Sequence, residues 1–206
     1  MCSSDLFCDV TSAAHARKAA AAGVDGLICV GAGAGSHASE QNGTSLVREI
    51  REFWDGCLIL GGAISDGWQV RAAEVSGADL AYVGTRFLAS RESNASAEYK
   101  QMVVDARIDD FINTDRLSGI PCNFLKPSLL QHGVDVASLP PKKPDMSSLT
   151  DPNVKLWKDI WTAGHGAVTI HDAPPVAEIV ARMAREYRAA CAMPASPAIA
   201  VGAAGA

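Results

Sequence analysis

Two apolar runs that each end in glycine, one β-α repeat apart, constrain this chain more than any other feature. The first reads Cys57-Leu-Ile-Leu-Gly-Gly-Ala-Ile-Ser-Asp-Gly67, the second Ala78-Asp-Leu-Ala-Tyr-Val-Gly-Thr-Arg-Phe-Leu-Ala89. Short apolar runs closed by glycine read as buried strands. The Ala-rich stretch between them, Trp68 to Ser76, reads as a helix. A strand, a helix and a second strand at this spacing need a crossover, and that makes the strands parallel and the connection right-handed.

The same rhythm runs upstream. Leu6 to Val10 is a short strand-like run. Ala13 to Ala22 is helical and stops at Gly23, a residue suited to a helix C-terminus. Val24 to Val30 is a further strand, and Thr44 is placed to cap a helix from Ser45 to about Phe53. Strands therefore end near residues 10, 30, 60 and 84. A closed (β/α)8 barrel needs eight. The chain reads as α/β, of the TIM-barrel type, with only the C-terminal half present, about four β-α units, plus a C-terminal helical extension.

The expected organisation is one partial barrel domain over residues 1–187. Residues 101–152 form an irregular insertion, residues 153–187 form C-terminal helices, and residues 188–206 are a low-complexity tail expected to be disordered. Within this, Ser93 to about Asp105 reads as a helix and Arg107 to Thr114 as a strand. Ile120 to Pro152, rich in Pro, Lys and Ser, reads as a surface excursion. Val154 to Trp161 reads as a short helix, with Trp157 and Trp161 four apart on one packed face. Pro174-Pro175 opens a last helix to about Arg188.

Composition removes several classes. A formal net charge of −5 with no basic stripe gives no footprint for nucleic acid. The apolar runs are too short to span a membrane, and the first residues lack a cationic start and apolar stretch, so a cytoplasmic protein is expected. Six cysteines at 2, 8, 29, 57, 122 and 191 form no CxxC pair and read as buried thiols. His165 and His171 lie near Asp172 at a spacing poor for a metal, so no metal is expected, and His15 reads as a surface residue.

Two places carry chemistry. Gly61-Gly62 and Gly84-Thr85 end neighbouring parallel strands, where backbone N–H groups can meet an anion. Loops after the last two strands of such a barrel commonly hold a phosphate. The competing reading is a pair of tight packing turns. Arg86 either adds charge there or forms an ion pair on the barrel exterior. The loop Gly31-Ala-Gly-Ala-Gly-Ser-His37 lets the backbone approach a flat ligand and presents a histidine. His37 is then either a general base, since histidine titrates near neutrality, or a surface loop residue.

These segments, with Ala20-Ala-Ala-Gly-Val-Asp-Gly-Leu-Ile28, Gly77-Ala-Asp79, Ile120-Pro-Cys-Asn-Phe-Leu125, Ile160-Trp-Thr-Ala-Gly-His-Gly166 and Val176-Ala-Glu-Ile-Val180, resemble the nitronate monooxygenases, formerly 2-nitropropane dioxygenases. The flavin-dependent enoyl-acyl-carrier-protein reductases share the pattern. The resemblance runs from about residue 7 to 187 and implies an FMN-binding barrel that oxidises a nitronate or nitroalkane with O2 to a carbonyl compound and nitrite. It implies that Gly35 lies near the flavin, that Gly61, Gly62, Tyr82, Val83, Gly84 and Thr85 take its phosphate end, and that His37 is the base. Asp9 opens a family-like Asp-Val-Thr-Ser stretch that would face the site. The alternatives are an enoyl reductase using NAD(P)H and FMN, or an inactive barrel piece acting as an interaction module. Open sheet edges would favour a homo-oligomer. The chain departs from the family at Val30 (family Gln), Gly33 (Glu) and Ser36 (Gly), and it has no counterpart of the family's first strands.

Overall fold

The computed structural model describes residues 5–141, 143 and 156–194. Its first half alternates strands and helices: β1 (Phe7–Val10), α1 (Ala13–Ala21), β2 (Gly26–Val30), the two-residue β3 (Ser36–His37), α2 (Gly43–Arg51), β4 (Cys57–Gly61), α3 (Gly67–Val75), β5 (Leu80–Tyr82) and the single turn α4 (Thr85–Leu88). β1, β2, β4 and β5 form one parallel sheet in that order, with Ile28 beside Ile59 and Gly61 beside Tyr82. This is the expected α/β architecture of four β-α units, half of the strands a closed barrel requires.

Strand alternation sorts the sheet into two faces. Val10, Leu27, Cys29, Leu58 and Leu60 point toward the helices and form a buried core with Ala16, Leu46, Val47, Ile50 and Ala73. The opposite face is more open: Leu80 and Tyr82 are 58% and 62% exposed there. Phe7 lies across Gly26, whose missing side chain makes room for the ring. Local chemistry fixes the helix starts: Ser12 accepts from the His15 amide, Asn42 from Ser45 and Asp66 from Gln69. Asn42, not Thr44, is the cap of α2; Thr44 donates its hydroxyl to Asn42 Oδ1 at 2.7 Å. Asp79 ties β4 to β5, accepting from the Leu58 amide at 2.8 Å and from Arg51 at 2.6 Å.

The second half is α5 (Ala97–Asp105), β6 (Phe111–Thr114), β7 (Cys122–Leu125), α6 (Lys126–Gln131) and α7 (Val176–Cys191). β3, β7 and β6 form a separate antiparallel sheet. In the described part of 101–152 this sheet and α6 stand where an irregular insertion was expected. Cys122–Leu125, placed in a surface excursion by composition, is a fully buried strand, because its residues pair with β3 and β6 on both sides. The helix expected over 154–161 is instead a turn in the described part, residues 156–160, closed by Trp157 N–H donating to Ile160 O at 3.0 Å. The two tryptophans share no helix face: Trp157 meets His37, and Trp161 stacks on Tyr99 at 4.8 Å.

α7 packs on α3 where Gly67 permits close approach: a Cβ there would lie 2.2 Å from Met183 O. The helix runs to Cys191, three residues past the predicted end, and the residues of the expected tail from 195 to 206 lie outside the described ones. No described helix is long and apolar enough to cross a membrane.

Candidate active site

The C-terminal ends of the parallel strands and the loops that follow them surround a cavity of about 430 Å³, within the range of small-molecule and cofactor sites. Asp9, Ile28 and Val30 supply its wall from β1 and β2. Gly33, Ala34, Gly35 and His37 come from the glycine loop. Gly61 to Ser65 follow β4, and Tyr82, Gly84, Thr85 and Leu88 follow β5. The far side is the C-terminal segment Thr162–Gly164 with Gly166. Of the residues expected to hold the flavin or act as base, Gly35, His37, Gly61, Gly62, Tyr82, Gly84 and Thr85 line this cavity, and Val83 does not: its side chain packs against the helix-covered core.

Glycine and alanine make up half of the residues lining the cavity, so main chain is a large part of its wall. Among the described residues no hydrogen bond engages the amides of Gly62, Gly84 or Thr85. The Thr85 hydroxyl accepts from the Gly164 amide at 2.9 Å, and its own proton has no acceptor among the described residues. Ser65 Oγ is buried on the same wall and likewise has no partner there. Buried polar groups are nearly always hydrogen-bonded, so the orphaned Ser65 hydroxyl is a chemical signal.

The glycines serve two purposes. Cβ atoms at Gly33 and Gly35 would lie 2.6 Å from the Ala63 Cβ and 2.8 Å from the Gly164 amide nitrogen. At Gly62, with φ +118°, a Cβ would meet the Ala34 nitrogen at 2.9 Å. These three are demanded by loop-on-loop packing. At Gly84 a Cβ would meet nothing within 4 Å, so there the missing side chain leaves open space instead of allowing contact.

The loop is held from three directions. Gly33 O accepts from the amides of Ala63 and His165, both at 2.9 Å. Asn123, buried in β7, donates through Nδ2 to Ala32 O and Ala34 O, both at 2.7 Å, while its Oδ1 accepts from Asn113 at 2.9 Å. Asn123 was not singled out by the sequence reading. A polar residue at the centre of Pro-Cys-Asn-Phe-Leu is the one signal that pointed to it. Tyr99 anchors the far side by donating to Thr162 O.

His37 stands exposed at the rim, with its ring 5.6 Å from that of Trp157 at 70°. Asp9 also reaches the cavity. Arg86 does not: it is buried behind the site, bonded to Asp172 at 3.2 Å and to the carbonyls of Ala89 and Asp172, so the exterior ion pair is the observed outcome. The Arg182 hydrogen bond and charge hold the Asp172 carboxyl below the ordinary range. Burial lowers the His165 imidazole, and it pushes the Cys29 and Cys122 thiols up to about 12, which keeps them inert. Among the described residues no three His, Cys, Asp or Glu side chains converge as metal ligands.

Parallel β-α units with a cavity at the C-terminal ends of their strands place the chain among α/β folds of the TIM-barrel type. It belongs to the nitronate monooxygenase family, whose model matches residues 5–186. It is 31% identical over 125 residues to (3aS,4S,5R,7aS)-5-hydroxy-7a-methyl-1-oxo-octahydro-1H-indene-4-carboxyl-CoA dehydrogenase of Mycobacterium tuberculosis, covering 59% of this chain and 35% of the relative. It is 33% identical over 124 residues to a probable nitronate monooxygenase of Staphylococcus aureus, covering 55% and 35%. The structure of nitroalkane oxidase from Streptomyces ansochromogenes superposes with a TM-score of 0.75 at 28% identity, covering 90% of this chain and 58% of that one. The chain thus spans about a third of the length of these curated relatives.

Proposed function

We propose that this chain carries the phosphate-binding and base-bearing part of an FMN-dependent nitronate monooxygenase. In that reaction an oxygen atom joins the nitronate carbon as its C–N bond breaks, and nitrite leaves. The observation that carries the reading is the set of amides at Gly62, Gly84 and Thr85, gathered on one cavity without acceptors among the described residues. Converging main-chain donors suit a phosphate dianion. The Ser65 hydroxyl on the same wall and the open space at Gly84 fit the same group.

Bound FMN would supply the redox chemistry and the reactivity toward O2 that these side chains lack. The chain's own residues bind and orient. Gly62, Gly84 and Thr85 take the phosphate. Ile28 and Val30 give an apolar wall that limits water. His37 removes the α-proton of a neutral nitroalkane; a nitronate arrives already deprotonated, and for it His37 contributes binding.

A spectroscopic titration tests the reading. Adding FMN should give a saturable shift of the flavin bands, and no shift at any concentration would sink the proposal. In flavin-loaded protein His37→Asn should lower kcat/KM for nitroethane by about 10²-fold or more, and for its nitronate by much less. A second reading, oxidoreduction of an acyl thioester, is favoured by the CoA-linked relative. Turnover of a crotonyl thioester with NADPH, without oxygen uptake, would select it.

A further inference from the structure

Two non-glycine residues with left-handed backbone come together at His37. Ser36 has φ +61° and Trp157 has φ +63°, left-handed backbone that favours glycine. A left-handed non-glycine residue persists only where its surroundings hold it. Here each is held by the other: Trp157 Nε1 donates to Ser36 Oγ at 3.1 Å, across 121 residues of sequence. The same indole lies edge-on to the His37 ring at 5.6 Å. Trp157 is itself fixed by its amide bond to Ile160 O, and Ser36 and His37 by the ladder to Asn123 and Cys122.

His37 has no side-chain hydrogen bond among the described residues, and it is exposed. An exposed imidazole without a partner samples several rotamers. The Trp157 ring removes part of that freedom. We propose that Ser36 and Trp157 form a clasp that orients the His37 imidazole toward the cavity, making both of them positioning residues. This rests on the reading of His37 as the base. Glycine at position 36 would relax the backbone but remove the acceptor, so serine there has a stated purpose: it secures the indole.

The test separates backbone strain from the hydrogen bond. Ser36→Gly relieves the first and deletes the second. In flavin-free protein, NMR of Ser36→Gly should show the Trp157 indole N–H signal moving to a solvent-like position. The His37 ring signals should lose their ring-current shift, and the melting temperature should not fall. Trp157→Phe keeps a ring but no donor and should shift the His37 signals part way; Trp157→Ala should shift them fully. In loaded protein Ser36→Gly should lower kcat for a nitroalkane about tenfold with KM little changed. An indole signal unchanged by Ser36→Gly, or His37 signals unchanged by Trp157→Ala, overturns the clasp. The NMR result stands apart from activity: if His37→Asn leaves turnover intact, the base assignment fails while the clasp survives.

Discussion

The parallel and antiparallel halves of the molecule meet the same cavity with different parts of the chain. The parallel half presents glycine-rich main chain: Gly62, Gly84 and Thr85 line the cavity, and their amides have no acceptors among the described residues. The antiparallel half spends its polar side chains on other segments of the protein. Asn123 bonds two loop carbonyls, Tyr99 bonds Thr162 O, and Trp157 bonds Ser36. One half offers binding capacity and the other locks the loop that borders it. Strand ends in a parallel sheet make a good anion rim, but they do not fix a seven-residue loop such as Gly31 to His37; that takes contacts from elsewhere in the chain.

The largest expected effect tests the locking half. Asn123→Leu keeps the volume and removes three hydrogen bonds, leaving the carbonyls of Ala32 and Ala34 and the Asn113 amide without partners. Three hydrogen bonds at about 1 kcal/mol each make a loss of about 3 kcal/mol. Urea denaturation should show that loss, with FMN affinity falling as the loop loosens. A change under about 0.5 kcal/mol would mean the loop holds itself and the contrast between the halves is false.

Gly62→Ala comes next. It forces a side chain onto φ +118° and a Cβ to 2.9 Å from the Ala34 nitrogen, a backbone atom that cannot step aside cheaply. A loss of about 2 kcal/mol is expected from strain and overlap. Gly35→Ala, with its Cβ 2.8 Å from the Gly164 nitrogen, should cost a similar amount by overlap alone. Thermal melts of the two variants check both.

These sites also show what the sequence made legible. β1, β2, β4 and β5 were readable because each is a local, mostly apolar run, the last three closed by glycine, and each pairs with a neighbour one β-α unit away. The glycines marked the right loops, although Gly33, Gly35 and Gly62 are glycine for packing reasons and only Gly84 faces open space. β7 was hidden. Its four residues follow Pro121 in a Pro-, Lys- and Ser-rich stretch, and its partner β3 lies 87 residues upstream at the Ser36–Asn123 pair. Trp157 and Trp161 imitated a helix face, yet their true neighbours are His37 and Tyr99. Local pattern reports local pairing, and the locking contacts are all long-range.

A pH effect sharpens the comparison further. His165 lies in the segment that reaches across to Gly33, and burial lowers its imidazole below the ordinary value. The unfolded chain therefore binds this proton first. Stability is complete above the unfolded pKa of about 6.5 and declines as pH falls through it. The melting temperature should be lower at about pH 5.5 than at about pH 7.5, and His165→Phe should flatten that difference. An unchanged slope in the variant would assign the dependence to other groups.

Gly84→Ala should change stability least and is the most discriminating for that reason. Its Cβ has no neighbour within 4 Å and its φ of −111° suits any residue, so folding should shift by no more than about 0.5 kcal/mol. The methyl group nonetheless projects at the rim whose amides are free. If that rim holds a phosphate, FMN affinity should fall by about tenfold, and Gly84→Val should lower it further at equal stability. The pair Gly62→Ala and Gly84→Ala then separates the two uses of glycine: the first loses stability and binding together, the second binding alone. Unchanged FMN affinity in Gly84→Val would leave the free amides without a ligand role and make the rim a packing turn.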